Sequence, residues 1–267
     1  SFADAALRAA GLDVARYTSP HLLDARERFH FNGKAVSKNE FTRTADAVLR
    51  ARPTYPPTST FDVLTAIFFV LARRRRSRAV ILETGLGGRL DSTNVCTPRV
   101  SVITRIGFDH TDLLGTRLFK IAVEKCGIIK PGAPVLTTSQ DDEASRVIRE
   151  ISAYAGAPLT VLPSSARVEF AKDRTVFAFS PGVGQNAPVR LRAFGRHQAE
   201  NAALALSAAR EFLSRGGRPT TARAISRMIR AVENTLIAGR FEILRRSSPP
   251  AVFDVAHNGE AARALAV

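Results

Sequence analysis

The sequence predicts an α/β fold with a mainly parallel sheet flanked by helices. Short aliphatic runs at residues 79–82 and 100–103 are typical of buried parallel strands. Segments with helical periodicity alternate with strand-like runs through the first 140 residues, as they do in the crossover units that join parallel strands. We therefore expect neighbouring strands to be connected mostly through helices.

Capping and turn signals define the first elements. A helix over residues 2–10 is followed by Gly11 at the position of a C-cap glycine, and a strand is expected over residues 14–17. Ser37 precedes a glutamate by three residues, which is the spacing of a capping box and predicts a helix start. Another helix begins at Thr60 and ends in four arginines, which suit the negative end of the helix dipole.

The second half of the chain mixes both kinds of element. Residues 134–138 predict a third strand, and a helix follows near residues 142–154. Short alternating runs between residues 159 and 194 indicate a small antiparallel patch. Two helices, over residues 198–214 and about 221–232, then complete the first domain.

A domain boundary is predicted between residues 237 and 238. Strand-like runs at residues 239–244 and 251–255 follow it, and a helix begins near Asn258. We expect residues 238–267 to be the start of a second α/β domain.

The composition argues against several classes of protein. Apolar residues make up 45% and charged residues 24%, close to the average of soluble globular domains. Only two cysteines occur, Cys96 and Cys126, too few for a disulfide framework, so we expect a cytoplasmic protein. The longest apolar run, residues 63–72, is far shorter than the roughly 20 residues of a membrane span, and no membrane association is expected.

The net charge of +15 raises the question of nucleic-acid binding. The arginines are scattered, however, and no aromatic residues alternate with them to form a stacking surface. We favour a basic surface that attracts an anionic small substrate, and we expect no nucleic-acid partner.

Polar side chains at the ends of two predicted strands mark a candidate site. Glu83 ends one strand, and Asp109 and His110 follow the next. Because ligands bind at the carboxyl ends of strands in open α/β sheets, we expect these groups in one crevice. Carboxylate and imidazole beside a phosphate suggest a divalent metal, with magnesium favoured. The spacing alone also fits a buried glutamate bonded to backbone amides and a histidine packed beside a turn.

Three further features have ordinary alternatives. Gly85, Gly87 and Gly88 resemble part of a dinucleotide fingerprint, but its third glycine would fall at Leu90, so a tight turn is favoured. Lys125 could be a surface lysine, although it lies between two glycine-bearing loops. Two polar stretches, around residues 240 and 254–258, lie beside the domain boundary, where clefts commonly bind ligands.

Seven segments together resemble the bifunctional dihydrofolate synthase/folylpolyglutamate synthase family, which belongs with the Mur ligases. In chain order these segments are residues 17–22, 82–94, 109–111, 124–132, 197–202, 239–242 and 254–258. The resemblance implies a P-loop-type Mur ligase ATPase domain over residues 1–237 and the beginning of a Rossmann-like, glutamate-binding C-terminal domain over residues 238–267.

The reaction that the resemblance implies is an ATP-dependent ligation. ATP phosphorylates a substrate carboxylate, and the amino group of L-glutamate attacks the acyl phosphate to give an amide, ADP and phosphate. The acceptor would be dihydropteroate, the γ-carboxylate of a reduced folyl-glutamate, or both. Two Mg²⁺ ions and cationic side chains would offset the negative charge.

The resemblance also assigns residues to roles. Glu83 and His110 correspond to magnesium ligands, and Lys125 corresponds to the lysine that carries a carbamate and ligates the second magnesium, so His110 and Lys125 are expected to be catalytic. Nucleotide contacts are implied for Asn201, Arg240, Asp254 and His257. Contacts with the acceptor are implied for Thr18, Ser19, Pro20 and His21.

Two departures from the family pattern limit this expectation. The glycine-rich phosphate loop that should precede the first helix is absent, and most of the second domain is missing. We therefore expect an inactive fragment of a monomeric ligase. Two alternatives stay open: another Mur-type amide ligase acting on a peptidoglycan precursor, and a non-catalytic basic paralogue that binds nucleic acid or protein.

Overall fold

The computed structural model describes residues 1–52, 58–163, 168–171, 174–182, 185–218, 220–244, 251–256 and 258–265. The helices are α1 (Phe2–Ala9), α2 (Lys38–Ala51), α3 (Thr60–Arg74), α4 (Thr111–Leu114), α5 (Leu118–Cys126), α6 (Asp142–Tyr154), α7 (Arg196–Arg215), α8 (Ala222–Glu233) and α9 (Gly259–Leu265). The strands are β1 (Val14–Tyr17), β2 (Phe29–Phe31), β3 (Lys34–Ala35), β4 (Ala79–Leu82), β5 (Ser101–Ile103), β6 (Val135–Thr138), β7 (Leu159–Leu162), β8 (Val168–Ala171), β9 (Arg174–Gly182), β10 (Gln185–Leu191), β11 (Glu242–Leu244) and β12 (Ala251–Phe253). Short 3-10 helices occupy Ala25–Arg28 and Ser92–Val95.

The predicted parallel pairings form in two separate sheets. In one sheet β1 pairs in parallel with β4, and the strand order is β3-β2-β1-β4. In the other, β5, β6 and β7 are parallel in that order. The expectation that β4 and β5 end at the edge of a single sheet is therefore corrected for the described residues, because β4 hydrogen-bonds with β1 whereas β5 hydrogen-bonds with β6.

Side-chain caps confirm the predicted helix starts. The Ser37 hydroxyl accepts the N–H of the third residue of α2, and the Thr221 hydroxyl does the same for α8. Ser59 and Asp62 form a reciprocal capping box at the start of α3. Gly11 follows α1 with a φ of +83°, a conformation that a side chain would disfavour.

The sequence analysis missed one hairpin. Strands β2 and β3 are antiparallel and are joined by Asn32 and Gly33, whose φ values are +51° and +80°. An Asn-Gly pair is the strongest short signal of such a turn, so the sequence contained the information. This hairpin extends the sheet beside β1.

The core that the described residues form has three apolar clusters. One is aromatic, where Tyr17 and Phe68 stack with ring centroids 5.1 Å apart beside Phe29 and Phe31. A second joins α5 and α6 to the β5–β7 sheet. The third packs α1, α7 and α8 against β9 and β10.

The predicted antiparallel patch is the sheet β8-β9-β10. The sequence predicts that residues 159–162 belong to this antiparallel patch. In the structure they form β7, which pairs in parallel with β6 and extends the parallel sheet instead. Strands β11 and β12 form an antiparallel pair. In the described residues this pair does not extend into a parallel unit, and the boundary at residues 237 and 238 stays a prediction.

Among the described residues, no helix has the length and apolar character that crossing a membrane requires.

A salt bridge joins α2 to the end of α3 and makes the stability depend on pH. The Arg75 guanidinium donates two hydrogen bonds to Glu40, which lowers the pKa of the Glu40 carboxyl from its ordinary 4.5. Since the folded-state pKa is depressed, the stabilisation is present above pH 4.5 and is lost as the pH falls through the folded-state value.

We expect Glu40→Gln to lower the free energy of unfolding by about 0.5–1 kcal/mol at pH 7, as for partly exposed ion pairs. The difference from the wild type should shrink as the pH is lowered, because the wild-type carboxyl is then protonated as well. Urea unfolding at several pH values measures both effects. Glu150→Gln is the control, since its partner Arg146 lies 3.7 Å away and both side chains are about two thirds exposed. An equal effect of the two variants would contradict this account.

Candidate active site

The loop after β1 is held against the residue that ends β4. Thr18 N–H donates to the carbonyl oxygen of Arg28 at 3.1 Å, and Ser19 N–H donates to Oε2 of Glu83 at 3.3 Å. The peptide between Ser19 and Pro20 is cis. The structure thus brings one predicted acceptor-binding residue, Ser19, beside one predicted metal ligand, Glu83.

A single carboxylate organises the rest of this loop. Glu27 accepts the backbone N–H groups of Leu22, Leu23 and Asp24 at 2.8, 3.0 and 2.8 Å. These bonds, led by the one from Leu22, lower the pKa of the Glu27 carboxyl. The sequence analysis did not single out Glu27, because its role depends on a turn that returns the chain onto itself.

The glycine-rich loop after β4 is shaped by Asp91 rather than by a ligand. Its Oδ2 accepts the N–H groups of Gly85 and Leu86 at 2.9 and 3.0 Å, and its Oδ1 accepts the N–H of Thr93 at 2.9 Å. This geometry favours the interpretation as a tight turn rather than as a dinucleotide-binding motif. The N–H groups of Gly85 and Leu86 already have an acceptor within the protein.

Two glycines let this loop lie directly on helix α5. A side chain at Gly88 would place its Cβ 2.8 Å from the carbonyl oxygen of Glu124, and one at Gly127 would lie 2.3 Å from Cβ of Arg89. Arg89 N–H donates to the same Glu124 carbonyl at 2.8 Å, and its guanidinium forms a salt bridge with the Glu124 carboxylate. The close approach places the loop that follows Glu83 against the end of the helix that contains Lys125.

Asn94 secures the same contact. Its side-chain nitrogen donates to the carbonyl oxygens of Arg89 and Gly127, each at 3.0 Å. The loop is therefore held against the C-terminal end of α5 by contacts of Gly88, Arg89 and Asn94.

Glu83 lies in an environment that resists ionisation. The pKa of its carboxyl is raised, chiefly because the surrounding protein displaces water, whereas the Ser19 N–H and the charge of Arg240 act in the opposite direction. The residue retains access to solvent, so the loss of hydration is partial. Such a group is stabilised as a carboxylate by a nearby cation.

Asp109, His110 and Lys125 form the second part of the site. His110 has a φ of +50°, and its N–H donates to Oδ1 of Asp109 at 3.0 Å. The His110 Nε2 lies 3.8 Å from Oδ2 of Asp109. Gln140 supports this loop near its start, because it accepts the N–H of Ile106 at 2.8 Å and donates to the carbonyl of Thr104 at 3.0 Å.

Lys125 is half-buried near the end of α5. Burial lowers the pKa of its ammonium, and the negative charge of Asp109 opposes that shift only in part. Among the described residues its Nζ has neither a salt bridge nor a hydrogen bond. A lysine in this setting has an increased neutral fraction and is a functional-site candidate.

The segment after residue 238 is folded around Asp254. This carboxylate accepts the N–H of Phe241 at 2.7 Å and that of Ala256 at 2.8 Å. The positive charge of Arg240 acts on the pKa of both Glu83 and His197, in each case as a smaller contribution than burial. Asp254 therefore shapes the turn that contains Arg240, in addition to its predicted nucleotide contact.

An aromatic cavity adjoins this turn. The ring of Phe194 stacks on Phe170 at a centroid distance of 5.4 Å and on Phe241 at 5.0 Å. These rings line a cavity of about 250 Å³ together with His197 and the start of α7. Burial lowers the pKa of the His197 imidazole. The sequence analysis did not select these aromatic residues, because they come from separate elements.

The predicted site residues have the following positions. Asn201 lies one turn after His197 on α7, which places both on one helix face. His21 follows the cis proline and is exposed. His257 lies outside the described residues. Within those residues, no three His, Cys, Asp or Glu side chains are grouped as metal ligands.

Comparison with known proteins identifies the fold. A family model, the Mur ligase middle domain, matches residues 37–209, more than half of the chain. The chain belongs to the Mur ligase family. This assignment confirms the expected fold class and the family that the sequence motifs resemble.

Relatives of this Mur ligase chain are named for folate ligases. It is 34% identical to the dihydrofolate synthase/folylpolyglutamate synthase of Bacillus subtilis (strain 168), over 100% of this chain and 63% of that protein. Mycobacterium tuberculosis folylpolyglutamate synthase complexed with ADP and AMPPCP matches with a TM-score of 0.85 and 31% identity, over 99% of this chain and 62% of that one. An FPGS-AMPPCP-folate complex matches with a TM-score of 0.89 and 27% identity, over 99% and 66%. The chain thus spans about two thirds of these relatives.

The contact between the glycine-rich loop and α5 can be tested with Gly88→Ala. The added Cβ meets backbone oxygen atoms of Glu124 and Lys125 at 2.8 and 3.0 Å, so we expect the free energy of unfolding to fall by about 1–3 kcal/mol. Urea unfolding measures this change.

Gly259→Ala is the matched control. Its added Cβ would meet only Arg263 side-chain nitrogens, at 3.8 and 4.0 Å, and we expect no loss of stability. An unchanged unfolding midpoint in Gly88→Ala would show that the loop does not depend on this close approach.

Proposed function

We propose that the full-length protein is an ATP-dependent ligase that joins L-glutamate to dihydropteroate, to the γ-carboxylate of a folyl-glutamate, or to both. The observation with the most weight is that Lys125 is half-buried near the end of α5, where the glycine-rich loop that follows Glu83 lies against its backbone. A surface lysine would have no reason to be partly dehydrated there. The names and bound ligands of the relatives support the same activity.

The chain's own residues fit two magnesium ions by their chemistry. The Glu83 carboxylate has a raised pKa, which a nearby cation would reverse. Lys125, when converted by CO₂ to a carbamate, would become an anionic oxygen donor. Magnesium usually binds one or two protein groups together with phosphates and water, so a cluster of three acidic or imidazole ligands is not needed. We assign Glu83 and His110 to one ion and Lys125 to the other; the ions would neutralise phosphate charge.

The remaining residues orient the two reactants. The acceptor lies along the Thr18–His21 loop, which the Ser19–Glu83 bond holds beside the metal ligand. The guanidinium of Arg240, whose charge acts on both Glu83 and His197, attracts the polyphosphate. In the first step an oxygen of the acceptor carboxylate attacks the γ-phosphorus and ADP leaves. In the second, the glutamate amine attacks the acyl carbon, phosphate leaves and an amide forms.

The aromatic cavity is the proposed site for the base of ATP. The Phe194 and Phe241 rings provide apolar faces, and His197 provides a polar group at the edge. Asn201 and His257 are also proposed to contact the nucleotide.

We further propose that the protein works as a monomer in the cytoplasm. Both cysteines, Cys96 and Cys126, are free thiols, which fits a reducing compartment.

Lys125→Ala tests the ligase. ADP release should require L-glutamate, Mg²⁺ and either dihydropteroate or tetrahydrofolate, and the variant should lower it by about two orders of magnitude or more. Lys120→Ala is the control, because this exposed lysine lies on the same helix.

In ¹³C NMR with labelled bicarbonate, a carbamate carbon should appear in the wild type and not in Lys125→Ala. No ADP release with either pterin acceptor would instead favour another Mur-type substrate or a non-catalytic paralogue.

The base-binding cavity is tested separately with Phe194→Ala. Loss of one aromatic face should raise the KM for ATP roughly fivefold and leave the KM for the acceptor unchanged. Phe194→Leu, which keeps bulk, should have a smaller effect. Phe212→Leu is the control, because Phe212 contacts Arg99 elsewhere on α7. A selective rise in the acceptor KM would argue against this assignment.

A further inference from the structure

Arg28 connects the 3-10 helix Ala25–Arg28 to the loop proposed to bind the acceptor. Its carbonyl oxygen accepts Thr18 N–H at 3.1 Å, and its guanidinium Nε donates to Nδ1 of His21 at 3.0 Å. The guanidinium also hydrogen-bonds to the Tyr17 side chain. One residue therefore contacts the end of β1 and two positions of the loop.

The bond from Arg28 favours one tautomer of His21. A guanidinium only donates hydrogen bonds, so Nδ1 of His21 must be an acceptor with a free lone pair. The neutral imidazole then has its proton on Nε2. His21 is exposed, and Nε2 has no hydrogen-bond partner among the described residues.

The acidic residues near His21 do not compete for this proton. Both Asp24 and Glu27 are close enough for their charges to act on His21. Asp24 accepts hydrogen bonds from the Arg26 guanidinium, and Glu27 accepts three backbone N–H groups. Their oxygen atoms are thus already satisfied within the 3-10 helix and the loop.

We propose that Arg28 is a positioning residue that presents the Nε2–H of His21 to a carbonyl or carboxylate oxygen of the pteroate-type acceptor. This inference rests on the proposed function, which assigns the acceptor to the Thr18–His21 loop. Arg28 acts through His21, and its effect is on acceptor binding rather than on phosphoryl transfer.

The tautomer is measured first, in the full-length protein, by ¹⁵N NMR of the imidazole nitrogens, with His21→Gln used to assign the signals. At a pH where the ring is neutral, the wild type should show a proton on Nε2. Arg28→Met, which keeps length and removes the donor, should shift His21 towards a mixture of tautomers, and Arg28→Lys, which keeps a donor, should restore the wild-type pattern. A wild-type signal with the proton on Nδ1 overturns the inference without bearing on the ligase activity.

Steady-state kinetics then test the acceptor. Arg28→Met should raise the KM for the acceptor about tenfold, which corresponds to the loss of one hydrogen bond to the acceptor. Both kcat and the KM for ATP should stay within about twofold of the wild-type values. Arg28→Lys should recover most of the affinity for the acceptor. His21→Gln should retain more of this affinity than His21→Asn, because the amide N–H of glutamine lies near the position of Nε2 in histidine. Arg26→Met is the matched control on the same 3-10 helix, since Arg26 pairs with Asp24.

The outcomes separate the two proposals. An unchanged acceptor KM in Arg28→Met overturns the role of Arg28 while leaving the ligase intact. An equal rise in the acceptor KM in Arg28→Met and Arg26→Met, or a fall in kcat in Arg28→Met, would indicate a structural role for Arg28. Either result would also overturn its proposed positioning role. If the wild type turns over no pteroate-type acceptor, the proposed function fails and the acceptor role of His21 fails with it, whereas the NMR result still decides the tautomer.

Discussion

The site depends above all on the backbone contact between the glycine-rich loop and helix α5. Strand β4 belongs to one sheet and α5 packs on another, so this contact connects the two sheets at the place where the candidate site residues lie. Gly88 and Gly127 are required because the facing atoms are a carbonyl oxygen and the main chain of Arg89, neither of which can move like a flexible side chain. The contact keeps the loop after Glu83 against the end of the helix that includes Lys125.

Polar groups in the site fall into two kinds. Asp91, Glu27 and Asp254 have their oxygen atoms bonded to backbone N–H groups, and these bonds shape three loops. Glu83 and Lys125 are instead partly dehydrated and poorly paired, with pKa values shifted towards their neutral forms. Ionisable groups are costly in this state unless a ligand compensates them, so the second kind is where substrate and metal chemistry is expected.

Local signals were sufficient for most elements and insufficient for some contacts. The caps at Ser37 and Thr221 and the aliphatic run of β4 predicted their elements because the responsible interactions are within a few residues. The Asn32–Gly33 hairpin was equally local and was overlooked. The Phe170, Phe194 and Phe241 stack could not be found in this way, because its rings come from a strand and two loops that are far apart in sequence.

By itself the sequence determined the fold class, the family and the identity of the residues with suitable chemistry, since periodicity, caps and motif order are properties of the chain. Only the tertiary structure decided that the two parallel groups of strands form separate sheets, that the glycines serve close packing, and that Ser19 lies on Glu83. It also placed Nε of Arg28 within hydrogen-bond distance of Nδ1 of His21. The physical reason is that hydration and hydrogen-bond partners depend on neighbours in space, which a pattern along the chain does not specify.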